Sequence, residues 1–171
     1  MAKLAIITLP DPILRKRSLP LERIDAGVRT LADDMLETMY AAPGVGLAAV
    51  QVGVLRRLVV LDTAKGEDEP PQPLVMINPQ ILALGSQLRR HEEGCLSIPD
   101  MRIEIERPSR VTVGFLDREG RAQELSTEGL LATAIQHEID HLNGKLIIDF
   151  LSRLKRDIIV RRFKKLAKET A

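Results

Sequence analysis

Residues 127–143 form the segment that most constrains the fold of this chain. Their pattern predicts a helix that is apolar on most sides, with Gly144 in the position of a C-terminal cap. The apolar positions are Leu130, Leu131, Ala134, Ile135, Ile139 and Leu142. A helix that is apolar nearly all round belongs in a protein interior. Its last turns nevertheless carry His137, Glu138, Asp140 and His141. Because burying such groups without partners is costly, the fold has to supply partners for them.

The spacing of His137 and His141 indicates a metal site. Two imidazoles that are four residues apart on a helix project from one face, one turn apart, and can reach the same ion. Glu138 lies beside them, near such an ion but free to transfer a proton. Two surface histidines with an ion-pairing glutamate would give the same H-E-x-x-H pattern, but the buried character of the helix argues against that alternative. The segment therefore predicts two metal ligands and a general base.

A catalytic metal also needs a third protein ligand and an open position for water. The metzincin protease pattern would place a histidine where this chain has Ile147. Thermolysin-like proteases use a later glutamate, and only Glu169 is available here. The upstream segment EGCLS contains the only thiol of the protein, Cys95, beside Gly94, which permits close backbone approach. We therefore predict that Cys95 is the third ligand rather than a buried structural thiol.

Length and composition exclude several classes of protein. The 171 residues, 44% of them apolar, suffice for one ordinary domain, so we expect a single catalytic domain over residues 1–171. Aromatic residues make up only 2% of the chain, and 25 basic residues nearly balance 24 acidic ones, which argues against single-strand nucleic-acid or DNA binding. A lone cysteine cannot form an intramolecular disulfide, and no apolar run has the length of a signal peptide or a membrane span. These features predict a cytoplasmic protein without membrane contact.

Residue periodicity predicts an α+β fold. A helix is expected over about 22–41, ended by Pro43 and Gly44, from the apolar series Ile24, Val28, Leu31, Met35 and Met39. Strands are expected at 57–62, 74–78, 102–106 and 110–116, a turn at 117–120 and a solvated loop at 65–73. Because strands mostly precede one long helix, we expect antiparallel sheets packed around the buried helix that carries the H-E-x-x-H motif.

The C-terminal residues 152–171 predict a basic helix. They contain eight lysines and arginines against two acidic residues. Apolar residues spaced for one side of this helix are Leu151, Leu154, Ile158, Ile159, Phe163 and Leu166. The helix is either a solvated element docked on its own domain or a surface that binds ribosomal RNA.

Three segments in order along the chain resemble the signatures of peptide deformylases: GVGLAAVQ at 44–51, EGCLS at 93–97 and QHEIDH at 136–141. The resemblance implies a metal-dependent hydrolase that removes the formyl group from the N-terminal formylmethionine of newly made proteins and releases formate. Two rival functions remain. A zincin-like endopeptidase is disfavoured by the missing downstream ligand, and a binding protein with a structural metal has no use for Glu138 and Gln51.

The resemblance also implies catalytic roles for individual residues. Glu138 is expected to act as general base for water and then as general acid for the leaving amine. The side-chain amide of Gln51 and the backbone N–H of Leu96 are expected to donate to the oxyanion. Glu93 is expected either to support the metal ligands or to be a surface acid, and His91 is not expected to bind the metal.

Substrate contacts are implied as well. Gly46 and Gly94 are expected to lie against the peptide backbone. The wall of the methionine pocket is expected to include Val45, Leu130, Thr133 and Ala134, with Arg102 near its mouth. Thr133 and Ala134 stand where bulkier apolar residues also occur in the family, which leaves the shape of the pocket open.

The ligand set does not fix the identity of the metal. Two imidazoles and a thiolate bind Zn²⁺ more tightly than Fe²⁺ in the usual affinity order. The resemblance implies one Fe²⁺ ion, for which Zn²⁺, Ni²⁺ or Co²⁺ can substitute. Its implied partners are N-formylmethionyl nascent peptides and, through residues 152–171, the ribosome.

Overall fold

The computed structural model of the protein describes residues 2–64 and 68–170. Within them the helices are α1 (Ala26–Ala41), α2 (Gly129–Leu142) and α3 (Arg153–Thr170). The strands are β1 (Gly46–Ala48), β2 (Leu58–Leu61), β3 (Leu74–Leu84), β4 (Leu88–Cys95), β5 (Ile98–Pro108), β6 (Arg110–Leu116) and β7 (Ala122–Glu128). Short 3-10 helices occupy Pro12–Arg15, Ala49–Val52 and Ile147–Phe150.

The strands form two antiparallel sheets. The larger has the order β1-β2-β3-β6-β7, and β4 and β5 form a separate two-stranded sheet. Each of these neighbouring strand pairs is antiparallel. The predicted α+β class, with antiparallel sheets and a C-terminal helix, is confirmed.

The larger sheet is covered by α1 on one face and α2 on the other. All four residues of β2 are buried, as expected for a central strand with apolar neighbours on both faces. Leu58 and Val60 belong to a core cluster that includes residues of α1. Val59 and Leu61 belong to a cluster that includes residues of α2. The α2 helix is therefore held in the interior, as its sequence predicts.

Glycines with left-handed backbone conformations set both ends of α2. Gly129 has φ +69 and is the first residue of α2, directly after the end of β7, so the helix begins there and not at the predicted position 127. At the other end Gly144 has φ +76, and the N–H of Lys145 donates to the carbonyl of Asp140. The predicted C-terminal cap at Gly144 is thus confirmed. A Cβ atom at Gly144 would lie 2.4 Å from the carbonyl oxygen of Arg15.

The two-stranded sheet packs on a third core cluster. Ile103 and Ile105 of β5 point into this cluster, whereas Arg102, Glu104 and Glu106 are exposed. The alternation predicted for residues 102–106 is confirmed. The same cluster includes the 146–148 segment and Phe163 of α3.

The C-terminal helix is present, but its docked side differs from the predicted apolar stripe. Ile159, Val160 and Phe163 contact the third core cluster. Leu154, Ile158 and Leu166, which the pattern assigned to the same side, are 68%, 55% and 44% exposed. The helix docks through a narrow strip near its middle, and residues 164–170 are all exposed.

Several element boundaries differ from the predictions. The α1 helix begins at Ala26, since the carboxylate of Asp25 accepts a hydrogen bond from the N–H of Val28 at 3.1 Å and caps the helix. Strands β1, β4 and β7 were not predicted. In the expected loop at 65–73, residues 68–73 are exposed and outside strands, and residues 65–67 lie outside the described residues. No helix in the described part of the chain combines the length and apolarity needed to cross a membrane.

Candidate metal centre and active site

Cys95, His137 and His141 bring three ligand atoms together, all within 4.8 Å of one another. The Nε2 atoms of the two histidines are 3.2 Å apart, and Cys95 Sγ is 3.3 Å from His141 Nε2. Two nitrogen ligands around one tetrahedral ion are about 3.3 Å apart when each metal–nitrogen distance is about 2.05 Å. These separations fit a single metal ion at the centre of the three atoms.

The ligands come from two elements. Cys95 is the last residue of β4, where a register irregularity between Glu93 and Cys95 interrupts the pairing with β5. His137 and His141 lie on α2, one turn apart, as their spacing predicts. His91 lines the neighbouring cavity but is not part of the three-residue cluster.

The charges around the cluster favour a cation at its centre. Burial lowers the pKa of His141 well below its ordinary value, so its ring is neutral and can offer a lone pair. Burial acts in the same direction on His137, but the carboxylates of Glu138 and Glu93 and the thiol of Cys95 outweigh it and raise the pKa of His137 well above the ordinary value. Anionic groups thus surround the atoms that converge, and the donor set of two imidazoles and a thiolate suits a transition metal.

Glu93 contacts the ring nitrogen of His137 that faces away from the ligand cluster. Its Oε1 atom lies 2.9 Å from Nδ1 of His137, which leaves Nε2 facing the ligand cluster. Burial alone would raise the pKa of Glu93, but hydrogen bonds with His137 and Arg107 outweigh it and hold that pKa below its ordinary value. The carboxylate is therefore charged. Glu93 is 5% exposed, so the alternative of a surface acid is wrong.

Arg107 joins Glu93 to the motif helix. Its Nε and Nη2 atoms donate to the two oxygens of Glu93 at 2.6 and 3.0 Å, and its Nη1 donates to Asp140 at 2.8 Å. The guanidinium also lies over the ring of Phe150. Burial would lower the pKa of Arg107, but the two carboxylates outweigh it and raise the pKa. This ion triad, in which Arg107 and Glu93 are buried and Asp140 is partly exposed, supplies partners for the charged residues of α2.

Glu138 lies against the cluster without belonging to it. One oxygen, Oε2, is 4.0 Å from Nε2 of His137. The other, Oε1, is buried and has no hydrogen-bond partner among the described residues. Burial raises the pKa of Glu138 to about 7, although the neighbouring His137 acts to lower it. A carboxyl group with that pKa can accept and return a proton near neutral pH.

The backbone of residues 44–46 packs directly against this carboxylate. A Cβ atom on Gly46 would lie 2.6 Å from Oε2 of Glu138. A Cβ atom on Gly44 would lie 2.9 Å from Leu96. An added Cβ atom at position 46 would therefore displace the carboxylate of Glu138, whereas at position 44 it would meet the flexible end of the Leu96 side chain. At Gly94, by contrast, the nearest atom to an added Cβ would be the carbonyl oxygen of Met101, at 3.7 Å.

Gln51 is oriented by its neighbours. The backbone N–H of Ala48 donates to its Oε1 at 2.9 Å, and its Nε2 donates to the hydroxyl of Ser97 at 3.0 Å. Nε2 also lies 3.8 Å from Cys95 Sγ. The amide nitrogen of Gln51 thus faces Ser97 and the candidate ligand Cys95.

A cavity of about 830 Å³ opens in front of the cluster. Its lining includes most of the site residues expected from the sequence: Val45, Gly46, Gln51, Gly94, Cys95, Leu96, Arg102, Leu130, Thr133, Ala134, His137 and Glu138. His141 is 1% exposed and lies at the buried side of the cluster. The hydroxyl of Thr133 accepts a hydrogen bond from Arg89 at 3.0 Å, so this polar atom of the pocket wall already has a partner.

Three residues of this arrangement were not predicted from the sequence. The inward position of Arg107 could have been predicted, since it follows Ile103 and Ile105 at the next inward position of an alternating strand. Ser97 lies within the EGCLS segment but has no distinctive pattern of its own. Arg89 lies in β4, where charged residues hide the strand pattern.

Comparison with known proteins agrees with this geometry. A model of the polypeptide deformylase family matches residues 3–157. A peptide deformylase of Rhizobium meliloti (strain 1021) is 60% identical over 163 residues, which cover 95% of this chain and 93% of the relative. One from Mesorhizobium japonicum is 60% identical over 166 residues, covering 97% and 94% of the two chains.

Solved structures show the same fold. The crystal structure of peptide deformylase from Ehrlichia chaffeensis superimposes with a TM-score of 0.92 at 40% identity and covers 99% of both chains. A second structure from that organism, in complex with actinonin, has a TM-score of 0.91 at 42% identity and covers 96% of this chain and 98% of that one. The family match, the relatives and the cluster of Cys95, His137 and His141 agree, and the chain belongs to the polypeptide deformylase family of metal-dependent hydrolases.

Proposed function

We propose that this protein hydrolyses the formamide bond of N-terminal formylmethionine on newly made proteins and releases formate. The observation that carries the proposal is the unpartnered, buried oxygen of Glu138 beside the three-residue cluster. A structural metal site has no need of such a group, whereas hydrolysis needs a base near the bound water. Residues 1–171 would act as one catalytic domain in the cytoplasm.

Cys95, His137 and His141 would hold one ion, which we propose is Fe²⁺, with Zn²⁺, Ni²⁺ or Co²⁺ able to substitute. The soft thiolate and the two imidazoles are compatible with each of these metals. When bound, such an ion supplies a lowered pKa for a water molecule and polarisation of the formyl carbonyl.

Glu138 would carry the proton. With a pKa of about 7 it can accept a proton from the attacking water and then deliver it to the amine as the carbon–nitrogen bond breaks. The products are formate and a free N-terminal amine. Its position against the backbone of Gly46 restricts the carboxylate to the side of the cavity that faces the cluster.

Gln51 and Leu96 would stabilise the oxyanion of the tetrahedral intermediate. One N–H of Gln51 donates to Ser97, and the other is directed at the weak acceptor Cys95 Sγ. That second hydrogen is available to a stronger acceptor such as an oxyanion. The backbone N–H of Leu96 follows directly after the ligand Cys95 and would supply the second donor.

The substrate backbone would bind between two free strand edges. Among the described strands, β1 pairs only with β2, and β4 pairs only with β5. Residues of both β1 and β4 line the cavity, including Gly46 and Gly94. An extended peptide can add to such edges through main-chain hydrogen bonds. Its methionine side chain would then enter the pocket formed by Val45, Leu130, Thr133 and Ala134, with Arg102 at the mouth.

A single assay tests the reaction. The iron-loaded protein is incubated with a formyl-methionyl tripeptide and, separately, with its acetylated counterpart. We expect formate from the first peptide and no deacylation of the second. Cleavage of an internal peptide bond would favour an endopeptidase, and a metal-loaded protein that releases no formate would be inconsistent with the proposed reaction.

We also propose that α3 binds the ribosome. Residues 152–171 carry a net charge of +6, and all basic residues of the helix except the half-buried Arg156 are exposed. Contacts of lysine and arginine with phosphates weaken steeply as salt rises. Deletion of residues 153–171 is therefore expected to abolish salt-sensitive cosedimentation with ribosomes and to leave hydrolysis of a short formyl peptide largely intact.

The deletion also removes Phe163, which packs in the core. A second variant therefore reverses the exposed charges of Lys164, Lys165 and Lys168 and keeps Phe163. Undiminished cosedimentation of both variants would contradict the ribosome proposal. Lost peptide activity in a folded truncation would instead assign the helix to the active site.

A further inference from the structure

A second groove lies between β5 and α3, beside the catalytic cavity. Its volume is about 460 Å³. Residues 101–104 of β5 form one wall, and Lys155, Ile158 and Ile159 of α3 contribute to the other. Met101 and Arg102 line both this groove and the catalytic cavity. The two concave surfaces therefore adjoin at these residues.

The side chains of the groove suit a polypeptide of mixed composition. Ile158 is 55% exposed although it is a large apolar residue. Arg102 and Lys155 place positive charges along the same groove, and Glu104 adds a negative one. An apolar floor with charges of both signs offers contacts to varied side chains and no uniform positive surface for a polyphosphate.

The strand register indicates how much substrate would reach this groove. Ile98 lies opposite Cys95 in the β4–β5 pairing. Glu104, in the wall of the second groove, lies opposite Glu92, which is three residues from Cys95 along β4, because the pairing is irregular between Cys95 and Glu93. An extended chain rises about 3.4 Å per residue, so this span along β4 is about 10 Å and corresponds to about three residues of an extended peptide.

We propose that the groove between β5 and α3 binds the segment of the substrate polypeptide that begins about three residues downstream of the formylmethionine, where an extended chain leaving the cavity would arrive. The inference rests on the proposed deformylation, because that reaction places a long polypeptide in the adjoining cavity. The groove would lengthen the binding site for nascent chains beyond the residues next to the formyl group.

The test compares peptide lengths. Initial rates are measured with a formyl-methionyl tripeptide and with a ten-residue formyl peptide that begins with the same three residues and continues with apolar and acidic residues. We expect a kcat/KM roughly tenfold higher for the longer peptide, through partial burial of its downstream side chains. In Ile158→Asp this gain should disappear, while tripeptide hydrolysis continues at the wild-type rate.

Leu166→Asp is the matched control. Leu166 is an exposed apolar residue of the same helix, 44% exposed, and does not line the groove. This variant should keep the full length-dependent gain. Ile158→Ser is measured in parallel, since it removes the apolar contact without adding a charge, and it should also lose most of the gain.

The outcomes separate the two proposals. Absence of formate from both peptides in the metal-loaded wild type rejects the proposed function itself. Tripeptide activity without any gain for the longer peptide would contradict substrate binding in the groove and would leave the proposed function unaffected. Retention of the gain in both Ile158 variants would also contradict substrate binding in the groove.

Discussion

The Nδ1 atom of His137 lies 2.9 Å from the carboxylate of Glu93, and the same carboxylate is held on its other side by Arg107. Each of these groups is buried. The orientation of a metal ligand on α2 thus depends on a strand residue that does not belong to the ligand cluster. A carboxylate behind a histidine fixes the ring and increases its basicity.

Glu93→Gln should weaken metal binding. The amide can still hydrogen-bond to His137, but it carries no charge to favour the ligand or to pair with Arg107. We expect metal affinity to fall by about 10–100-fold, the usual effect of removing such a partner. Competition with a chelator measures this. Glu106→Gln, at an exposed ion pair on the same sheet, is the control and should leave the affinity unchanged. Equal affinity in both variants would contradict the positioning role of Glu93.

Arg107→Met should destabilise the fold. The change leaves the buried Glu93 and the partly exposed Asp140 without their common cation. Removing one partner of a buried ion pair typically costs about 3–5 kcal/mol. Denaturant unfolding of the metal-free protein measures the loss. Arg90→Met removes the exposed pair with Glu106 and should change the free energy of unfolding by less than about 1 kcal/mol. A loss of similar size in the two variants would show that the ion triad adds little.

Much of the fold could be predicted from the sequence where residue pattern and environment agree. The apolar positions of α2 and the glycine at 144 indicated a buried helix and its end. Strands β4 and β7 could not be predicted in this way. The β4 strand is dense in charged residues because one of its faces meets solvent, and β7 is a mostly exposed edge strand. Patterns of apolar residues do not predict a strand when few of its side chains pack against a core.

The candidate site likewise combines residues that could be predicted from the sequence with residues that could not. The spacing of His137 and His141 is local on a helix, so it could be read directly. The distance between Cys95 and these residues depends on how the β4–β5 sheet packs on α2. Cys95 could therefore be proposed only by excluding downstream ligands and from the family resemblance. Arg107 was not predicted because arginine is usually exposed. The alternation of side chains along β5 nevertheless places it on the inward face with Ile103 and Ile105.

Cys95→Ser should reduce metal content. The change replaces a soft thiolate by a hydroxyl and removes one negative charge from the cluster. We expect substoichiometric metal after dialysis, whereas the parent protein keeps about one ion per chain. Elemental analysis gives the result. Full metal content in the variant would mean that the third ligand lies elsewhere, and His91, which lines the same cavity, would be the next residue to change.

Glu138→Ala should separate metal binding from catalysis. Because Glu138 lies beside the ligand cluster and not in it, the variant should bind metal at near-normal stoichiometry. Loss of the proton carrier should lower the rate of formate release by a factor of hundreds or more. Elemental analysis and the formate assay are run on the same preparation. Joint loss of metal and activity would make Glu138 a ligand and undo the assigned role.

Gly46→Ala should displace the carboxylate of Glu138 by direct steric contact. An added Cβ would lie 2.6 Å from Oε2 and 3.0 Å from Cγ of Glu138, so the carboxylate has to move away from its present position. A displacement of about 1 Å near the reacting groups can lower a rate by about a hundredfold. We expect a loss of that order in kcat, with metal content retained. Gly94→Ala is the matched comparison, because its added Cβ would meet its nearest atom at 3.7 Å and should cost much less in kcat. If the two variants lose kcat equally, contact with Glu138 is not the reason that position 46 is glycine.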